Sequence, residues 1–136
     1  MGATIFETIA TGADPAAAYA EAVRRARYDS GHAGYTGTVA EKDGFVFFGR
    51  LPAHLDVASL AQLCLDAEGA FAVAPYGTAA EEASTAALAE LDRSFAGRGR
   101  ELAKVYGGTW GPAVCVELAP ADGLVRVFGF LGWASR

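Results

Sequence analysis

Apolar and polar residues alternate through residues 4–10. Ile5 and Ile9 fall on one side, and Phe6 falls on the other with Thr4 and Thr8, which is the two-residue period of a strand. Thr11-Gly12 interrupts it. Asp14-Pro15 then opens a helix, because an aspartate accepts from the first free amides and proline suits the first helical position. Ala16, Tyr19, Ala20, Val23 and Ala26 recur at helical spacing as the predicted buried stripe. Glu21, Arg24, Arg25 and Asp29 take the solvent side, with Glu21 and Arg25 one turn apart. Gly31 is a natural left-handed stop.

Residues 35–40 have strand character, Glu41-Lys42-Asp43-Gly44 is turn-like, and Phe45-Val46-Phe47-Phe48 reads as a return strand buried on both sides. Together they predict a β-hairpin. Asp56 caps a second helix carrying Val57, Leu60, Ala61 and Cys64 at helical spacing. Residues 71–76 form a short apolar connector or strand. Thr78 and Glu81 make a capping-box pattern ahead of an alanine-rich helix with Ala83, Ala87, Leu91 and Phe95 as its inner stripe. Gly97-Arg98-Gly99-Arg100 breaks that helix, and residues 101–105 add a further turn.

Residues 114–118 alternate as a strand, 119–123 turn, and 124–133 form the last strand with Val125, Val127, Leu131 and Trp133 on one face. The sum predicts an α+β fold: an antiparallel sheet of about five strands in two hairpins, with two to three helices packed on it. With no linker or repeat in view, residues 1–136 read as a single domain, and 76–106 as a helical insertion.

Composition narrows the function. Hydrophobic residues at 52% and charged residues at 20% exclude a disordered chain. A net charge of −5 gives no electrostatic footprint for duplex nucleic acid. Cys64 and Cys115 stand alone in apolar surroundings, without the paired spacing of a zinc site, so no metal is expected and both read as reduced thiols. No cofactor motif is present. No apolar run approaches the length of a membrane span, so the expected location is the cytoplasm.

Two glycine-aromatic stretches hold the candidate chemistry, residues 31–44 and 107–117. The glycines at 31, 34 and 37 follow a helix end and lead into a predicted strand. They therefore lack the loop-into-helix geometry of a phosphate cradle, although glycine still lets a ligand approach the backbone. His32 lies beside Tyr35, Thr36 and Thr38, where a neutral imidazole serves as base or hydrogen-bonding group. Glu41, Lys42 and Asp43 form a charged tip. Glu117 sits in an apolar strand, as a carboxylate at a sheet edge or facing a pocket. Trp110 suits stacking on a planar ligand, and Arg98 and Arg100, flanked by glycines, suit an anion. The expected ligand-binding set is thus His32, Tyr35, Thr36, Thr38, Lys42, Arg98, Arg100, Trp110 and Glu117, with no catalytic assignment.

The stretches Gly34-Tyr35-Thr36-Gly37-Thr38-Val39-Ala40-Glu41-Lys42 and Trp110-Gly111-Pro112-Ala113-Val114-Cys115-Val116-Glu117-Leu118, with the ending Phe130-Leu131-Gly132-Trp133-Ala134-Ser135, resemble a group of small bacteriophage proteins of unknown function, notably from phages of actinobacteria. The resemblance implies a viral setting in the host cytoplasm and no particular reaction. By analogy with small phage-borne domains, it implies an accessory protein that acts by binding, whether to a nucleotide-like host signal, as anti-defence, or to a host protein. Two alternatives stand beside it: a small hydrolase or transferase using His32 with Glu41 or Glu117, and a structural homo-oligomer joined through the edge of the first hairpin.

Overall fold

The computed structural model describes residues 2–31, 34–68, 79–119 and 125–136. The chain runs β1 (Ala3–Thr11), α1 (Pro15–Ser30), a 3-10 turn (Val39–Glu41), β2 (Phe45–Arg50), α2 (Val57–Glu68), α3 (Ala79–Ser94), α4 (Gly99–Gly107), β3 (Ala113–Leu118) and β4 (Val127–Ser135). Its strands form one four-stranded sheet in the order β1-β4-β3-β2. β4 is antiparallel to both β1 and β3, and β2 is parallel to β3. The fold is α+β, but the sheet is mixed rather than antiparallel and has four strands among the described residues.

Only the second predicted hairpin forms, as β3 and β4. The first does not. Tyr35 (φ 66°) and Gly37 (φ 72°) take the chain out of the extended region before any strand can run. Thr38 then caps the 3-10 turn, its hydroxyl accepting from the Ala40 amide at 3.3 Å. β2 is left to pair with β3, and a parallel pair requires a long crossover, which α2, α3 and α4 supply. The connector predicted over residues 71–76 and all but the first residue of the turn predicted over 119–123 lie outside the described residues, as does Thr78 of the capping box.

Side-chain alternation sorts the sheet into two faces. Ala113 and Cys115 of β3, with Phe128, Phe130 and Ala134 of β4, pack under α1. Val114, Val116 and Leu131 pack under α2, α3 and α4 with Leu60, Cys64, Leu91, Leu102 and Tyr106. The two thiols therefore lie buried on opposite faces, both free.

Local signals account for the helix ends. Asp14 Oδ1 accepts from the Ala17 amide at 2.8 Å and Pro15 opens α1; Gly31, at φ 84°, closes it by donating to the Arg27 carbonyl at 2.8 Å. Asp56 Oδ1 caps α2 through the Ser59 amide at 2.7 Å. The stripe of α1 is displaced from the predicted one. Ala18 and Ala22 are fully buried, Tyr19, Val23 and Ala26 pack beside them, and Ala16 and Ala20 are exposed. Two alanines at the centre let the helix come close: a Cβ on Gly12 would lie 2.5 Å from the Ala18 nitrogen. In α3, Ala87 and Leu91 are buried as expected, with Phe95 just beyond the helix end, but Ser84 takes the inner place expected of Ala83. The expected further turn over 101–105 is a full helix, α4, running Gly99–Gly107.

Candidate functional site

The two glycine-aromatic stretches meet at one end of the sheet, and Lys42 joins them. The residue is 7% exposed. The ammonium donates to the carbonyls of Gly108 (2.6 Å), Thr109 (3.1 Å) and Trp133 (2.7 Å), which uses all three of its protons. Burial, with no carboxylate partner among the described residues, pushes its pKa down to about 8. The backbone on either side is fastened as well. Asp43 N donates to Gly111 O at 3.3 Å and Ala113 N to Gly44 O at 2.9 Å. The Tyr19 hydroxyl donates to Lys42 O and accepts from Gly44 N, each at 3.1 Å. Lys42 is thus a clamp between loops rather than the solvated tip of a hairpin.

Ahead of the clamp, a polar knot holds the loop. Thr36 donates to Glu41 Oε2 through its hydroxyl at 2.6 Å and its amide at 3.2 Å, and the Thr36 and Thr38 hydroxyls lie 2.8 Å apart. The hydroxyl bond above all, with smaller help from backbone amides and the field of Arg27, holds the Glu41 carboxyl below the usual carboxylate range. Gly37 is required here. Its φ is 72°, and a Cβ would come within 2.7 Å of Thr4 Cγ2. Tyr35 has a left-handed backbone (φ 66°) without being glycine, a conformation uncommon for a residue with a side chain. Its ring meets Trp110 edge-on at 6.4 Å, and the two are 49% and 65% exposed.

Beside this loop, α1 forms the wall of a groove of about 600 Å³. Tyr19, Arg24, Arg27 and Tyr28 line one side, and Ala40 and Lys42 line the other. Arg24 is engaged by Glu21 at 2.6 Å. Arg27 has no hydrogen-bonded carboxylate among the described residues and faces the field of Glu41. Tyr28 is 87% exposed.

Of the expected binding residues, Tyr35, Thr36, Thr38, Lys42 and Trp110 come together. Three others do not. Arg98 stands at the start of α4, over the Phe48 ring at 4.4 Å, paired with Glu101 at 3.1 Å and donating to Phe47 O. Arg100 is exposed on the same helix end. Glu117 lies at the far end of β3 in a 2.9 Å pair with Arg126, whose hydrogen bond lowers the carboxyl's pKa. His32 lies outside the described residues. Cys115 is no nucleophile at neutral pH, since burial raises its pKa to about 12, and burial raises that of Cys64 further.

The groove residues of α1 were missed in sequence. Arg27 and Tyr28 lie three and four residues after Arg24, so both neighbour it on one helix face. A tyrosine one turn after an arginine on that face, with a second arginine beside it, was the available signal. No protein-family model, curated protein or solved structure matches the chain.

Proposed function

We propose that the protein acts by binding an anionic small molecule with a planar group, of the nucleotide-like kind, in the groove between α1 and the 34–44 loop. The observation that carries this reading is the pairing, in one 600 Å³ concavity, of aromatic rings with an Arg27 guanidinium that has no carboxylate hydrogen bond among the described residues. A phosphate takes the guanidinium, and a planar base stacks on Tyr28, which lines the groove, or on the exposed pair that Tyr35 of the same loop makes with Trp110. Groups suited to chemistry are otherwise occupied. The Lys42 ammonium is filled by carbonyls, Glu41 is held by Thr36, and Glu117 is held by Arg126. These engagements support binding over catalysis. The resemblance to actinobacteriophage proteins supports a phage-encoded accessory role, in which the bound species is a host signal.

The test is a thermal-shift and calorimetric titration with inorganic phosphate, AMP, ATP and NAD. A ligand held at a hundred times its dissociation constant adds about 2.7 kcal/mol to stability, a shift of several degrees. Arg27→Ala is expected to remove the shift, and Trp110→Ala to weaken it for the nucleotides and spare inorganic phosphate, with the unliganded melting point unchanged in both. A flat response to all four probes overturns the proposal.

A further inference from the structure

The two edges of the sheet are guarded very differently. β2 is six residues long, its register shifts between Phe47 and Arg50, and Arg98 occupies the Phe47 carbonyl at 3.1 Å. These are the usual devices that keep an edge from pairing. β1 is nine residues long, holds register with β4 from Ala3 to Thr11 without a break, and contains no proline or lysine. Gly2 and Arg136 exchange both of their backbone hydrogen bonds. By antiparallel alternation, Thr4, Phe6, Thr8 and Ala10 then turn their amides and carbonyls toward β4, and Ala3, Ile5, Glu7, Ile9 and Thr11 turn theirs outward. Among the described residues one group meets that outward row: the Arg25 guanidinium donates to the Ile9 carbonyl. The segment from Ala3 to Glu7 is open, and Ile5 at its centre is 39% exposed beside its register neighbour Trp133.

We propose that this open segment pairs with the same segment of a second copy of the chain, antiparallel about a twofold axis at Ile5. Charge selects that register. An axis at Glu7 would set two carboxylates directly opposite each other, which destabilises a strand pair. An axis at Ile5 sets Ile5 against Ile5 and Glu7 against Ala3 of the second copy. The two carboxylates are then about 13 Å apart along the strand, beyond the screening length of about 8 Å at physiological salt. Arg25 on the Ile9 carbonyl ends the pairing there. Three residue pairs exchange about six backbone hydrogen bonds. At one bond per 100–200 Å² this corresponds to an interface of about 600–1,200 Å², which is at or below the small end of stable interfaces. The dimer is therefore weak and concentration-dependent, with one sheet continuing through both copies.

Sedimentation velocity on the intact chain, from about 1 μM to 1 mM, reads the equilibrium directly, since 1 mM and 1 μM dissociation constants bracket such contacts. The expected result is a monomer–dimer exchange that Ile5→Lys weakens at least about tenfold, without change in circular dichroism or melting point, because the side chain is exposed. Register is read by cross-linking. Ile5→Cys gives a disulfide-linked dimer on mild oxidation, and Ile9→Cys does not. A monomer throughout the range, a dimer indifferent to Ile5→Lys, or cross-linking at Ile9 in place of Ile5 would each overturn the proposal.

Discussion

The loop junction at the end of the sheet and the helical layer on its α2–α4 face bury polar groups in opposite ways. At the junction, Lys42 brings a charge into the interior and gives each ammonium proton an acceptor. In the helical layer, Tyr106 is fully buried on α4 and its hydroxyl has no hydrogen-bond partner among the described residues. Burial, with smaller help from Cys64, Glu68 and Glu7, drives its pKa well above the ordinary tyrosine value. A nearby polar contact is satisfied: the Trp133 indole donates to Glu68 Oε1 at 2.6 Å. The difference teaches that burial alone does not say what a polar group contributes. A partnered group ties segments together, and an unpartnered one costs desolvation and returns only the packing of its ring.

Four variants break or sharpen that contrast. Lys42→Met removes the donor from three part-buried carbonyls, and each unmet acceptor costs about 1–3 kcal/mol where water cannot replace the donor, so a loss of about 3 kcal/mol is expected in urea unfolding. A loss below about 1 kcal/mol would mean that the clamp is dispensable. The same pair of proteins reports on charge. With the folded pKa at about 8, below the unfolded lysine value, the unfolded state binds more protons between about pH 8 and pH 10. The stability of wild type relative to Lys42→Met should therefore rise over that interval. The cysteine and tyrosine contributions, which fall with pH because their folded pKa values are raised, cancel in the difference.

Tyr19→Phe comes next. It removes the hydroxyl that donates to Lys42 O and accepts from Gly44 N, at an expected cost of about 1–2 kcal/mol, and loosens the groove. Tyr106→Phe should be neutral or stabilising by up to about 1 kcal/mol, the reverse of Tyr19→Phe at the same chemical change. Equal losses for the two tyrosines would abolish the contrast. Last, Glu117→Gln breaks the surface pair with Arg126 and should change stability by less than about 1 kcal/mol, a loss that salt reduces further.

What the sequence conveyed was mostly what lies within one turn of chain. Asp14, Pro15, Gly31 and Asp56 bound their helices through contacts three or four residues away, so those ends were legible. The parallel partnership of β2 and β3 was not, since it depends on where three intervening helices deliver the chain. Tyr35 and Gly37 have strand-forming neighbours, and only the closeness of Thr4 and the polar knot on Glu41 explain their departure. The site was half legible. Glycine and aromatic content marked both stretches that meet, but Lys42 read as a turn residue because its three acceptors come from residues 108, 109 and 133. Arg98, Arg100 and Glu117 had the right chemistry and the wrong end of the fold.

The pairing of Ala3 with Ser135 has a consequence for the order in which the protein is made. β1 emerges before the other elements described, and its partner β4 only after everything between Thr11 and Val127. At translation rates of about 5–20 residues per second, the strand waits on the order of ten seconds with both edges unclaimed. Through that interval α1 is its one neighbour in chain order, packing on one side of the strand and covering no more of the hydrogen-bonding edges than the Ile9 carbonyl that Arg25 reaches. Closing the sheet is therefore a late event of high contact order, and the ribosome-bound chain is where a strand rich in isoleucine and threonine most needs shielding from its own kind.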